Sequence, residues 1–208
     1  MRTLTIGKKQ PNTSRLGKKS AFFANQSFFK NKTPSHQGYN LDTALSTDRT
    51  AVYANPDRKK LYMAHRGTVW SDATDVASNI ASAMGRDDLD PRLTQGRQLT
   101  KQAKAKYQGY NVTHTGTSLG GGVSRDLGRE FNDKAVSYNP RGFINKTSVS
   151  NSLACRNPLN RPAYCDKYTA NFAGGDLVSM PSRMTYGKKN YVKGSYNPLK
   201  AHSLNNFL

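Results

Sequence analysis

The sequence predicts an α/β domain, a mostly parallel sheet with helices on both faces, preceded by an extended basic N-terminal arm. Three observations point there. From Asp42 onward short strand patterns alternate with helical ones; a glycine-rich stretch, "THTGTSLGGGVSRDLGREF" from Thr113 to Phe131, joins a strand to a helix; and residues 1–40 carry neither hydrophobic period. Strands alternating with helices pack as a parallel sheet because each crossover returns across a sheet face. With 208 residues the chain is long enough for one core that folds without covalent help.

Residues 1–40 are rich in Lys, Ser, Asn, Gly and Pro and read as an arm unable to build its own core, with the globular domain spanning 41–208. The first carboxylate is Asp42, and before it lie Arg2, Lys8, Lys9, Arg15, Lys18, Lys19, Lys30 and Lys32. Among these sit two aromatic pairs, Phe22/Phe23 and Phe28/Phe29, of the kind that needs a docking place. The whole chain has 32 basic and 13 acidic residues, a formal charge of +19, which suits an anionic partner. Nucleic acid held by Lys/Arg and stacked on the aromatics is one such partner; an anionic membrane reached by the phenylalanines is another. Nothing at the N-terminus is apolar or long enough for a signal peptide or membrane span, so the expectation is a protein kept inside a cell or carried in a particle assembled there.

In the domain, "TAVYANPDRKKLYMAHRGT" reads as strands Thr50 to Ala54 and Lys60 to Ala64 joined by a turn at Asn55-Pro56-Asp57. Trp70, Ala73, Ala77, Ile80 and Met84 recur at spacings of three and four, predicting an amphipathic helix with its apolar stripe in the core. Thr94 to Tyr107 reads as a helix with a basic, solvated outer face. A short strand, "YNVTHTG", leads to a helix from about Leu119 to Phe131, then to the strand "KAVSYN" and a loop with Pro140 and Gly142. "KYTANFAGGDLVSMP" supplies a last strand, closed by Gly174-Gly175, and the final segment from Tyr191 reads as a polar loop.

Gly116-Thr117-Ser118-Leu119-Gly120 lies between a strand and a helix. There small flanking residues allow a sharp turn, and the helix N-terminus aims free N–H groups at a reacting oxygen. Two readings stand: Ser118 as a nucleophile, or a flexible glycine-rich loop. A nucleophile on such a turn needs its acid and then its base later in the chain. Of the four histidines, His36, His65, His114 and His202, only His202 follows. The later carboxylates are Asp126, Glu130, Asp133, Asp166 and Asp176. The first three belong to the helix after the serine or its end. Asp176 follows the last strand, at the edge where ligands gather in a parallel sheet, and is preferred to Asp166, which precedes that strand. A turn or cap carboxylate is its bland alternative. Cys155 and Cys165 make no disulfide framework and no metal site; two unpaired thiols is the preferred reading, with a local loop-closing bridge the other. No cofactor is expected.

Four blocks, "LYMAHRGT" (Leu61 to Thr68), "TGTSLGG" (Thr115 to Gly121), "NFAGGDLVSMP" (Asn171 to Pro181) and "NPLKAHSLNNFL" (Asn197 to Leu208), resemble in this order the class three or fungal-type lipases. The likeness is closest to the short lipase-like proteins of large DNA viruses. It covers roughly Leu41 to Leu208 and implies an α/β-hydrolase fold with Ser118 as nucleophile, Asp176 as acid and His202 as base. It also implies an oxyanion hole from the backbone N–H groups of Leu119 and Thr68. Thr117 stands where the family usually has His, and the family's longer chain carries an apolar lid after Arg-Gly-Thr, where this sequence has the Trp70 to Met84 helix. The expected function is hydrolysis of a lipid or other acyl ester. The alternative is a lipase-fold component of a virus particle, bound to capsid or other virion proteins through the basic arm.

Overall fold

The computed structural model describes residues 15–142 and 146–208. In chain order the elements are α1 (Arg15–Gln26), β1 (Ser35–His36), β2 (Tyr39–Leu41), β3 (Thr50–Asn55) and β4 (Lys60–His65), then α2 (Ala73–Ala83), α3 (Pro91–Lys106), β5 (Asn111–Thr117), α4 (Leu119–Glu130) and β6 (Lys134–Tyr138). They continue with α5 (Lys146–Arg156), α6 (Tyr164–Lys167), β7 (Tyr168–Ala173), β8 (Lys188–Val192) and α7 (Pro198–Ala201). One 8-stranded sheet holds the strands in sequence order. The predicted hairpin forms, with Thr50 opposite His65 and Asn55 opposite Lys60. From β4 to β8 all pairings are parallel.

The strand alternation sorts side chains to two faces. Ala51, Tyr53, Tyr62 and Ala64 gather around Phe23 of α1, whereas Val52, Ala54, Leu61 and Met63 pack with Ala103 of α3. On β6, Val136 and Tyr138 meet Ala21 and Ala24 of α1. Leu119, Val123 and Leu127 of α4 pack on Leu93 of α3, and a Cβ on Gly96 would lie 2.6 Å from Leu127, so α3 and α4 lie close together. Asp90 caps α3 by accepting from the N–H groups of Arg92 and Leu93, with Pro91 in the first turn.

Four expectations are corrected. First, residues 15–40 are no extended arm: α1 lies across β4, β5 and β6, and β1 and β2 join the sheet. Phe23 is fully buried, the Ser20 and Tyr138 hydroxyls are 2.7 Å apart, and Thr115 Oγ1 donates to the Ser20 carbonyl. The buried residues Ser20, Ala21, Phe23, Ala24 and Gln26 of this helix, with Ser27 just after it, lie at helical spacing, but Phe23 is the one large apolar side chain among them. The stretch before Arg15 lies outside the described residues.

Second, the apolar stripe of α2 is not in the core. Trp70, which precedes the helix, Ile80 and Met84 are exposed, whereas Asp75, Ser78, Ala81 and Ser82 are buried. The cause is the ground beneath. Arg92 binds the Asp75 carboxylate, which also takes Arg66 at 3.2 Å; Ser78 donates to Asp90 at 2.6 Å, and Arg141 reaches Asp90 at 3.3 Å. Buried guanidinium groups require carboxylate partners, and these outrank the hydrophobic pattern of the helix.

Third, Cys155 and Cys165 form a disulfide, tying the end of α5 to α6, so the unpaired-thiol reading is replaced by the local bridge. Such bridges persist in oxidising surroundings. Fourth, the segment from Lys188, which includes the start of the expected terminal loop, forms the edge strand β8, whose polar sequence Lys-Lys-Asn-Tyr-Val disguises it. No described helix is long and apolar enough to cross a membrane.

Candidate active site

Ser118 sits where β5 turns into α4 with φ 52° and ψ −119°, a left-handed conformation that a non-glycine residue adopts only when its surroundings enforce it. They do so closely. A Cβ on Gly120 would lie 2.0 Å from the His65 carbonyl oxygen, and one on Gly116 would lie 2.5 Å from the Gly120 backbone, so the turn closes against the end of β4 only with glycine at both places. The Ser118 N–H donates to the Tyr138 carbonyl at 3.1 Å, and its own carbonyl accepts from Arg141 N–H at 2.7 Å and Gly122 N–H at 3.0 Å.

Asp176 follows β7, and His202 follows α7 beyond β8; the sheet delivers both to the serine. His202 Nε2 is 2.9 Å from Ser118 Oγ, and His202 Nδ1 is 3.0 Å from each Asp176 carboxylate oxygen. Asp176 is buried and accepts as well from Val178 N–H at 3.0 Å and the Ser179 hydroxyl at 2.5 Å. Burial pushes its carboxyl pKa up, but the hydrogen bonds from His202 and Ser179 outweigh burial and hold it below the ordinary carboxylate value. Asp166, the other carboxylate considered, is exposed and pairs with Arg161 at 2.8 Å, away from this cluster.

Leu119 opens α4, so its N–H has no acceptor within the helix. Thr68 lies in the loop after β4, next to Gly67, where a Cβ would sit 3.1 Å from the Thr117 carbonyl oxygen. The Thr68 hydroxyl accepts from Asn79 Nδ2 at 3.2 Å, and Asn79 Oδ1 accepts from Arg141 at 3.1 Å. Through Arg141 the α2 helix is thus linked to the serine turn. Among the described residues no cluster of His, Cys, Asp or Glu is arranged to hold a metal ion.

Three supporting residues escaped the reading of the sequence. Asn139, at φ 41°, donates through Nδ2 to the Ala201 carbonyl at 2.9 Å and accepts at Oδ1 from Ala173 N–H at 2.9 Å. It therefore fastens the end of β7, which precedes Asp176, to the residue before His202. Ser179 and Arg141 are the others. Asp176-x-x-Ser179 is a side-chain-to-backbone turn pattern that a reading for turns could have found; Arg141 had no local signal.

An imidazole between a carboxylate and an alcohol, with helix N–H groups beside the alcohol, can take a proton from the hydroxyl and return it to a leaving group. Several apolar side chains in the segments that carry these residues are exposed: Trp70, two positions after Thr68, and Leu177, Val178, Met180 and Met184, which follow Asp176 in the chain; the half-exposed Phe28 packs its ring on Gly67.

No family model matches the sequence. No curated protein matches it either. Solved structures do match. Lipase II from Rhizopus niveus aligns with TM-score 0.55 and 12% identity over 89% of this chain and 80% of that one. The lipase from Rhizopus microsporus var. chinensis gives 0.54 and 15% over 93% and 84%, and the Lip2 lipase from Yarrowia lipolytica 0.51 and 18% over 85% and 78%. At such identity the likeness speaks for the fold, and the chain has a lipase-like α/β-hydrolase fold, a mostly parallel sheet similar to that of the fungal lipases.

Proposed function

We propose that the chain is a serine carboxylester hydrolase acting on lipid or other acyl esters through an acyl-enzyme. The observation that carries this is the single line of contacts from Asp176 through His202 to Ser118 Oγ, at 3.0 and 2.9 Å. With Asp176 ionised, Nδ1 of His202 carries a proton and donates it to the carboxylate, which leaves the Nε2 lone pair facing the serine hydroxyl. His202 takes the hydroxyl proton as Oγ adds to the ester carbonyl carbon. The resulting oxyanion meets the N–H groups of Leu119 and Thr68, and the imidazolium protonates the departing alcohol. Water then repeats the sequence on the acyl-serine and frees the acid. The exposed apolar residues in the segments after Thr68 and Asp176, together with the outward stripe of α2, favour a lipid aggregate as the source of the ester.

The test is turnover of a short-chain nitrophenyl ester. Ser118→Ala lowers kcat by roughly four to six orders of magnitude, and a fluorophosphonate labels Ser118 in the wild-type chain. A folded wild-type chain that takes no label sinks the reading. The alternative, a non-catalytic component of a virus particle held by a basic arm, rests on the first 14 residues of the sequence, since the remainder of the expected arm belongs to the packed domain. Unchanged particle incorporation after their deletion would remove it.

A further inference from the structure

Ser118, Asp176 and His202 lie beyond the C-terminal ends of β5, β7 and β8. At the opposite end of the sheet, where β4, β5 and β6 begin, the surface opens into a groove of about 1190 Å³. Lys19, Arg58, Lys60, Lys104, Lys134 and Lys167 line it. The two carboxylates in its walls are already neutralised, Asp133 by Lys104 at 2.7 Å and Asp166 by Arg161 at 2.8 Å. Arg58, Lys60 and Lys134 are exposed and have no carboxylate partner among the described residues. Among the described residues every side-chain carboxylate except Asp57 already faces a cationic side chain or, for Asp176, the His202 imidazole, which leaves little internal negative charge for the excess of cations.

The cations are held in place by strands. Lys60 pairs with Asn111 and Lys134 with Thr113, so the two lysines flank β5 from either side, two strand spacings apart and staggered by two residues, ~12 Å between their backbones. Partial burial lowers the Lys134 pKa and the Lys60 ammonium lowers it further. Like charges set on a rigid edge without a counter-ion destabilise the free protein and are relieved by a bound anion.

We propose that this groove binds the phosphate backbone of a nucleic-acid strand, at the end of the sheet remote from the triad. A bilayer is a poor fit, because a flat surface does not enter a concave groove and a membrane docked there would hold the triad away from the lipid. An extended acidic peptide turns a carboxylate to one face only every second residue, about 7 Å apart, and only where its sequence is acidic throughout. A nucleic acid presents one charge per nucleotide whatever its sequence. Tyr39 and Tyr62 also line the groove but are only 2% and 3% exposed, and the partly exposed Tyr110 packs its ring on Tyr107, so little aromatic surface is on offer. Contact is therefore chiefly to phosphate and sugar, and binding depends little on base sequence.

The test uses the full chain, a fluorescent single-stranded oligonucleotide and a salt titration. Three to four phosphate contacts give a slope of log K against log salt of about −2 to −3. Lys60→Ala/Lys134→Ala removes two contacts, so the slope falls in magnitude by about 1.4 and affinity at low salt drops at least tenfold. Ester hydrolysis stays unchanged, which separates failure here from failure of the hydrolase reading. Arg58→Ala, on the exposed turn before β4, gives half that change in slope. Three outcomes overturn the proposal: unaltered binding in both variants, displacement of the oligonucleotide by polyglutamate at equal charge, or binding to anionic vesicles alone.

Discussion

Replacing Asp176 by Asn tests the site where its geometry is tightest. In the structure Oδ1 accepts from Val178 N–H at 3.0 Å and Oδ2 from the Ser179 hydroxyl at 2.5 Å, while both face His202 Nδ1. Asparagine keeps the shape. Its carbonyl oxygen stays on the backbone N–H groups of the turn, which places Nδ2 against the imidazole. An amide N–H donates, so Nδ1 must accept and the ring proton moves to Nε2, where it points at Ser118 Oγ. The base then has no lone pair for the serine proton. The fold survives, because the volume is kept and the Ser179 hydroxyl, which can no longer donate there, turns to accept from Nδ2, and KM is unchanged, because Asp176 does not touch substrate. The expected loss is about 10⁴ in kcat, equivalent to about 5 kcal/mol of transition-state stabilisation. Steady-state kinetics on a nitrophenyl ester at neutral pH, with circular dichroism to confirm folding, read it. A loss below tenfold in a folded variant refutes the reasoning, as does an equal loss in Asp166→Asn.

Gly120→Ala should lower kcat/KM at least 100-fold and destabilise the fold by about 3 kcal/mol, because the new methyl would lie 2.0 Å from the His65 carbonyl oxygen; wild-type rates with an unmoved Tm would contradict this. Replacing Ile80 and Met84 together by Ser should weaken binding to lipid vesicles at least tenfold and leave hydrolysis of a soluble ester intact, since both side chains are exposed; unchanged vesicle partitioning counts against an apolar docking face. Burial, with His114 and Arg92 nearby, holds the His65 pKa well below the ordinary histidine value. The unfolded chain therefore takes up a proton near pH 6.5 that the folded chain refuses. Its stability contribution is full above about that pH and declines below it by up to about 1.4 kcal/mol per unit; urea midpoints that stay level from about pH 7.5 to 5.5 would disprove it. Reducing the Cys155–Cys165 bridge, which spans a sequence separation of 10, should cost about 3 kcal/mol and lower Tm on the order of 10 °C; identical melting with and without reductant would show that it contributes nothing.

Legible in the sequence were the features set by neighbours along the chain. Gly116 and Gly120 around Ser118 announce a strained turn because backbone sterics are local, and the hairpin at Asn55-Pro56-Asp57 follows from the same rule. Chain order alone left His202 as the one histidine after Ser118, and a positional rule preferred Asp176 to Asp166; the structure brings these three side chains together. Only the tertiary structure decided the rest. Whether α2 turns its apolar or its polar side inward depended on the buried Arg92 and Arg141, 17 and 63 residues from the groups they bind, with the nearer Arg66 beside them. The helix hidden in the expected arm shows its small-residue face only against the sheet it covers, and β8 owes its pairing to β7 rather than to its own polar residues. Local propensity fixes how a segment bends; which of its faces is buried is fixed by the distant groups it must satisfy.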